Sequence, residues 1–137
     1  MSTYLLDNNC CIGVINGRLP SVRTRFRAAL EAGDRLLVSA IVLFELWYGV
    51  AHSERPEQNV RRLREFLAGS LEILGFDEQD ARLSGEIRAQ LRSAGTPIGP
   101  YDVLLAGQAL RHGATLITTN VSEFARVPGL HWEDWAR

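Results

Sequence analysis

The sequence predicts an α/β domain in which a mostly parallel sheet is covered by helices on both faces. Three observations lead to this fold class: short apolar runs that stop at polar residues, longer segments with helical spacing between them, and glycines that close those segments. Strands buried in a parallel sheet are continuous apolar runs, and glycine is the common residue just past a helix. Because the two kinds of segment alternate along the chain, the strands are expected to run parallel.

Short apolar runs mark the predicted strands. The first is followed by Asp7, the second by Ser39 and the fourth by Thr118, so each stops at a polar side chain. The five predicted strands span residues 4–6, 36–38, 71–76, 115–117 and 130–132.

The segments between these runs have helical spacing and recognisable ends. Pro56 and Pro100 stand where a helix can begin without a backbone N–H, and Asp77 with Asp80 is typical of an N-terminal cap. The predicted helices span residues 22–32, 40–51, 56–68, 78–94 and 101–112. With no repeat, low-complexity tract or linker, we expect one domain over residues 1–137.

Composition and charge exclude broad function classes. The 137 residues are 46% hydrophobic and 23% charged with a net charge of -1, which is typical of a folded chain and excludes nucleic-acid binding by bulk charge alone. No apolar run approaches the ~20 residues needed to cross a bilayer, and no secretory signal is recognisable. The only cysteines, Cys10 and Cys11, are neighbours that fit a reducing compartment. We therefore expect a cytoplasmic protein without a membrane segment.

Three acids stand at positions that suggest a site. Asp7 directly follows the first predicted strand, and the carboxyl ends of parallel strands form the edge at which ligands bind. Glu45 is the single charge in the apolar stretch AIVLFELWYGVA, and Asp102 lies in the first turn of a strongly apolar helix. Simpler explanations stay open: Asp7 capping a helix that begins near Asn9, Glu45 on a narrow solvent-facing stripe, and Asp102 interacting with the helix dipole for about 0.3–1 kcal/mol.

If Asp7, Glu45 and Asp102 meet at this edge, a cation is required. Two carboxylates ~4 Å apart repel by about 4 kcal/mol at an effective dielectric constant of ~20. Oxygen ligands without histidine or cysteine nearby favour Mg²⁺, with Mn²⁺ as a substitute, over zinc. Such a site is suited to hydrolysis of a phosphodiester.

Four separated blocks of the sequence carry a family resemblance. The blocks YLLDNN, SAIVLFELWYG, GTPIGPYDVLLAGQAL and TLITTNVSEFARVPGLHWEDW resemble the PIN-domain ribonuclease toxins called VapC, of bacterial and archaeal toxin–antitoxin pairs, from about Tyr4 to Trp135. The resemblance implies a three-layer α/β/α domain. It also implies Mg²⁺-dependent endonucleolytic cleavage of RNA, such as a tRNA or an rRNA, to inhibit translation.

The resemblance also assigns roles to residues. Asp7, Glu45 and Asp102 match the family's metal-binding and catalytic acids, and Asn9 matches an asparagine that helps to orient the first of them. The E-L-x-x-G pattern around Glu45 reads ELWYG here.

The last block departs from the pattern at the fourth acidic position. Asn120 stands where many PIN nucleases have aspartate; its carbonyl can still accept from metal-bound water, so we count it with the catalytic residues, but it lacks the charge that helps to hold a second cation. Glu123 could take that place, although an exposed acid in a short helical turn is its simpler interpretation. Thr118 is expected in support, with its hydroxyl beside the acids.

The resemblance implies partners as well. A VapB-type antitoxin would cross the active site with its tail, and any contact with operator DNA would pass through that antitoxin. A homodimer packed through apolar helix faces near Trp47 is also expected. Two other functions stay open: a PIN-like module that binds RNA or protein without cutting, and a DNA nuclease of similar geometry.

Arginines and aromatic residues are the remaining candidates for RNA contact. Arg88 and Arg92, one helical turn apart, are the first candidates for phosphate contacts. Trp47 and Tyr48 are expected to pack in a core or an interface rather than to stack on bases. The cluster of Arg61, Arg62 and Arg64 has Glu57 and Glu65 nearby and is predicted to be a solvated, salt-bridged face, with RNA contact as the alternative.

Overall fold

The computed structural model describes residues 1–137, in which five strands form one parallel sheet. Every strand pair in the sheet is parallel, and the order is β3-β2-β1-β4-β5. The strands are β1 (Thr3–Leu6), β2 (Arg35–Ser39), β3 (Glu72–Leu74), β4 (Thr115–Ile117) and β5 (Trp132–Glu133).

Seven helices connect the strands, and each predicted helix is present with its ends within two residues of the prediction. Proline occupies the first turn of three helices, where its missing N–H costs nothing. The helices are α1 (Asn8–Asn16), α2 (Pro20–Glu31), α3 (Ala40–Ala51), α4 (Pro56–Leu67), α5 (Glu78–Ser93), α6 (Pro100–His112) and α7 (Val121–Phe124). No helix has the length and apolar character needed to span a membrane.

Two strands differ from their predictions. Strand β3 is shorter than predicted, and β5 begins at Trp132 rather than at Leu130. Leu130 is still in a turn, with its N–H donating to the carbonyl of Val127, and the chain first reaches β4 where the carbonyl of His131 accepts from Leu116 N at 2.9 Å. The carboxyl end of β5 therefore lies at Glu133.

The order of the strands places helices on both faces. Parallel crossovers are right-handed, so the steps from β1 to β2 to β3 put α1–α4 on one face. The chain then crosses back over β1 to β4 and continues to β5. Because these steps across the sheet run opposite to the first two, right-handed crossovers put α5–α7 on the other face. The prediction of a three-layer α/β/α fold around a parallel sheet is thus confirmed. Strands are added outward from β1 first on one side and then on the other, so the strand order reverses between β1 and β4.

A close contact between α5 and α6 fixes the helix that carries Asp102. Gly107 of α6 lies against Ser84 of α5 so closely that a Cβ on Gly107 would lie 2.1 Å from Ser84 Oγ. Beside this contact the fully buried carboxylate of Asp80 accepts hydrogen bonds from Arg111 (2.9 Å) and Gln108 (3.2 Å) of α6. Packing and a buried charged hydrogen-bond network thus hold the two helices in one alignment.

We predict that Gly107→Ala destabilises the fold although alanine is the better helix former. The added methyl group must displace α5, and overpacking of this kind lowers the free energy of unfolding by about 1–3 kcal/mol. Gly85→Ala on α5 is the matched control, because a Cβ there has no atom within 4 Å and should be neutral or slightly stabilising. Urea denaturation of both variants measures the effect, and equal midpoints would contradict the prediction.

Candidate active site

Polar side chains stand in a row at the carboxyl edge of the sheet. The register pairs Leu6 of β1 with Ile117 of β4, and Ile117 with Glu133 of β5. The following residues on the three strands are Asp7, Thr118 and Asp134, and backbone hydrogen bonds of 3.0 Å continue the register to Asp7 N and Thr118 N. Asp7 and Thr118 therefore flank the topological switch point between β1 and β4, where the strand order reverses. Ligands usually bind at this point in an open α/β sheet.

Asp7 is buried at this point and also caps α1. Its Oδ1 accepts from Cys10 N at 2.7 Å, so the capping interpretation is confirmed, and the Thr118 side chain lies near the same carboxylate and lowers its pKa. Burial nevertheless raises the pKa of Asp7; these two contacts oppose the rise and the charge of Asp134 adds to it. Capping uses one oxygen of the Asp7 carboxylate, and no cationic side chain neutralises its charge.

Glu45 reaches the same edge from α3, which begins directly after β2. Its side chain is half-buried, whereas its helix neighbours Phe44 and Tyr48 are more exposed. Burial raises the pKa of Glu45, and the negative charge of Asp7 raises it further. The most exposed side chains of this part of α3 are thus aromatic, and Glu45 lies within range of the charge of Asp7.

Asp102 is the most perturbed acid of the site. Helix α6 leads into β4, so its first turn, with Asp102, lies at the carboxyl edge. The pKa of Asp102 is raised to about 7, first by burial, then by its hydrogen bond with Glu123 and that residue's charge, and further by Asp7 and Glu45. The three predicted acids therefore lie close enough to influence one another.

Asn120 and Glu123 complete the site around Asp102. Asn120 Nδ2 donates to Asp102 Oδ2 at 3.3 Å and also to Glu123 Oε2, while Asn120 N donates to Thr118 Oγ1 at 2.9 Å. Glu123 Oε1 accepts from Gly99 N at 3.1 Å. A Cβ on Gly99 would lie 3.2 Å from Asp102 Oδ2, so glycine allows this loop to lie against the acids.

Three residues differ from what the sequence indicated. Glu123 is not simply an exposed acid: it is half-buried against Asp102, and the hydrogen bonds from Asn120 and Asp102 lower its pKa. Asp134 was missed because the last strand was predicted to end too early; with β5 ending at Glu133, Asp134 follows the same strand-end rule as Asp7. Asn9 is exposed on α1 and makes no hydrogen bond to the acids.

The acids fit a hydrated divalent cation. None of Asp7, Glu45, Asp102 and Glu123 forms an ion pair within the chain. No three acidic, histidine or cysteine side chains are close enough to enclose a metal ion by themselves. Mg²⁺ keeps several waters and uses one or two carboxylates together with substrate phosphates, whereas zinc requires a closed set of protein ligands. Uncompensated oxygen donors around a polar edge therefore suit Mg²⁺.

A groove of about 720 Å³ adjoins Glu45. Helices α1, α3 and α4 form its walls, and Tyr101 from α6 closes one side. Glu45 and Asn8 lie on its surface, but most of the lining is apolar. The groove therefore joins the acids to an apolar surface.

The arginines do not form the predicted salt-bridged face. Neither Arg61 nor Arg62 makes an ion pair, and Arg64 lies over the ring of Trp47 at 5.4 Å. Arg88 and Arg92 line a smaller cavity of about 240 Å³ beside the loop that leads to Asp102. These guanidinium groups are free to contact a phosphate.

Comparisons with known proteins agree with this fold. The PIN domain family matches residues 4–130. The tRNA(fMet)-specific endonuclease VapC of Salmonella typhimurium is 41% identical over 135 residues, which are 98% of this chain and 99% of the relative. The crystal structure of VapBC2 from Rickettsia felis bound to a promoter DNA fragment has a chain 38% identical, with a TM-score of 0.90 and coverage of 97% and 98%. The crystal structure of DNA-bound VapBC from Salmonella typhimurium has a chain 41% identical, with a TM-score of 0.89 and coverage of 98% of this chain and 99% of that chain. With its acids at the carboxyl edge of a parallel sheet, this chain belongs to the PIN-domain family and, within it, to the VapC ribonucleases of VapBC toxin–antitoxin pairs.

Proposed function

We propose that this protein is a Mg²⁺-dependent endoribonuclease toxin that hydrolyses phosphodiester bonds in structured RNA, such as a tRNA or an rRNA, and so inhibits translation. The observation that carries the proposal is the group of carboxylates without a counter-ion at the reversal between β1 and β4. The Salmonella relative is named for a tRNA, which makes tRNA the first substrate class to test.

Asp7, Glu45 and Asp102 would hold the ion. A bound Mg²⁺ would supply Lewis-acid stabilisation of the phosphate and a lower pKa for an attacking water. The backbone N–H of Cys10 orients Asp7, and the amide of Asn120 orients Asp102. Because the pKa of Asp102 is raised to about 7 without a bound ion, Mg²⁺ binding near neutral pH would displace its proton. Arg88 and Arg92, or Arg62, would contact the RNA backbone.

We infer that a VapB-type antitoxin is the partner that keeps this nuclease inactive. Both solved relatives reported above are VapBC complexes bound to DNA, which supports an operator contact made through the antitoxin. A guanidinium group of the antitoxin placed among the acids would satisfy their charge as a cation does. The homodimer and the cytoplasmic location stay predictions.

We predict that Asp7→Asn, Glu45→Gln and Asp102→Asn each lower the rate of RNA cleavage by roughly 10²–10⁴-fold, because each removes a charge that positions the ion or its water. Cleavage of total tRNA by the purified chain, in Mg²⁺ and in EDTA, is the measurement. Glu86→Gln is the matched control, since Glu86 is an exposed acid of α5.

Three other outcomes, with DNA cleavage and antitoxin binding measured beside the RNA assay, would each indicate a different function. Cleavage in EDTA would reject the metal site. If neither RNA nor DNA were cut in any divalent metal while antitoxin binding persisted, the chain would be a non-catalytic binding module. Preferential cleavage of a matched DNA strand would make it a DNA nuclease.

A second prediction concerns Glu123 as the fourth acid in place of Asn120. Glu123→Gln removes the charge beside Asp102 and should raise the Mg²⁺ concentration for half-maximal cleavage by about tenfold or more, the size of effect seen when a residue supporting a metal ligand is lost. A Mg²⁺ titration of the cleavage rate measures this, with Ser122→Ala in the same turn as the control. An unchanged Mg²⁺ concentration for half-maximal cleavage would show that Glu123 does not support the ion.

A third prediction follows from the raised pKa of Asp102. The folded chain keeps this proton up to about pH 7, whereas an unfolded aspartate releases it near 3.8. The folded state thus binds more protons between these values, and the free energy of unfolding falls as the pH rises through this window.

Thermal unfolding in EDTA between about pH 5 and pH 8 tests this linkage. The Tm of the wild type should fall more steeply with pH than that of Asp102→Asn, which has no proton to lose. Mg²⁺ should raise the wild-type Tm most at the upper end of the range. Parallel curves for the two proteins would show that neither burial nor neighbouring charge raises the pKa of Asp102 in the folded chain.

A further inference from the structure

An exposed aromatic side chain immediately precedes two of the acids. Phe44 stands before Glu45 on α3, and Tyr101 stands before Asp102 on α6. Consecutive residues of a helix do not face each other, but Phe44, Glu45 and Tyr101 all line the same groove. Both aromatic side chains therefore lie on the surface that adjoins Glu45.

The two rings meet across the gap between their helices. Their centroids are 6.0 Å apart with an interplanar angle of 54°, although Phe44 is 57% and Tyr101 46% exposed. Aromatic groups of this size are mostly covered in folded proteins, and an exposed apolar patch beside a polar site marks a binding surface. We call Phe44 and Tyr101 the aromatic platform.

The surroundings of the platform extend the same surface. Tyr48 follows Phe44 by one helical turn and is 62% exposed, so of the predicted core or interface packing the core is excluded and the interface stays a prediction. Arg62 of α4 lines the same groove and has no ion-pair partner in the chain. Flat apolar rings, a free guanidinium group and a cation-binding edge therefore adjoin one another.

We propose that the aromatic platform stacks an unpaired RNA base next to the phosphate held at the acids, with Arg62 binding a neighbouring phosphate. This inference rests on the proposed ribonuclease function and adds a requirement for a single-stranded nucleotide at the cut. Stacking on aromatic rings accepts any base because every base has a π face, whereas the faces of a paired base are already covered within the duplex.

RNA is favoured over an apolar protein segment as the occupant. A phosphodiester positioned on the acids brings its own flanking nucleotides to within reach of residues 44 and 101, whatever else binds the groove. The unpaired guanidinium group of Arg62 complements a phosphate, and an apolar segment would leave it without a partner.

Binding of a fluorescent single-stranded RNA of about 12 nucleotides tests the platform. Anisotropy is measured with Ca²⁺ in place of Mg²⁺, so that an oxygen-ligated cation still neutralises the acids, and a gel confirms that the RNA stays intact. The wild type should bind this strand more tightly than the same strand in a duplex. Phe44→Leu and Tyr101→Leu should each weaken binding of the single strand by about tenfold and leave duplex binding unchanged. Phe44→Tyr, which keeps a ring, should restore binding.

Trp132→Leu is the matched control, because Trp132 is an exposed aromatic residue on β5 at the far edge of the sheet. Single-strand binding unchanged in both leucine variants would overturn the inference. Unchanged binding together with a shift from dimer to monomer in light scattering would also overturn it, and would assign the surface to a second copy of the chain. If the wild type bound no RNA and cut none in Mg²⁺, both the proposed function and this inference would fail. If RNA were cut at the same rate with and without the aromatic platform, this inference alone would be rejected.

Discussion

Repulsion between like charges is the constraint on which this structure depends. The parallel sheet brings Asp7 to the reversal between β1 and β4, and α3 and α6 bring Glu45 and Asp102 to the same edge. No basic side chain of the protein pairs with these carboxylates, and burial makes their charges more costly. The fold therefore holds groups together that repel one another, which is the arrangement expected of a cation site rather than of a stabilising cluster.

The rest of the fold holds this arrangement in place. Asp7 is fixed twice, by the strand that ends before it and by the helix that it caps. Asp102 depends on α6, which is held against α5 by the contact of Gly107 with Ser84 and by the buried Asp80. The charge of Asp80 is satisfied by Arg111 and Gln108, and its pKa is lowered. The same protein thus contains a compensated buried acid, which is structural, and uncompensated acids, which are available to a ligand.

Asn120 stands where the family resemblance leads one to expect an acid, and its hydrogen bonds differ from those an acid could make. The amide of Asn120 donates to Asp102 and Glu123, which an aspartate could not do when ionised. The charge absent at position 120 is present three residues later at Glu123, held by Gly99 N. The asparagine then orients two acids instead of adding one, so the negative charge around Asp102 is retained.

The sequence by itself determined the alternation of strands and helices, most of their ends, and the acids Asp7, Glu45 and Asp102. These features are local or depend on strand direction, since apolar period, caps and strand ends are visible in the chain and the carboxyl ends of parallel strands always share an edge. Only the tertiary structure decided the roles of Glu123 and Asp134 and the exposure of the aromatic platform. Glu123 acquires its role from a loop 24 residues away, and Asp134 from the register of β5 on β4. Whether an aromatic ring packs or faces solvent depends on which helices cover it, and this depends on long-range packing that no local pattern records.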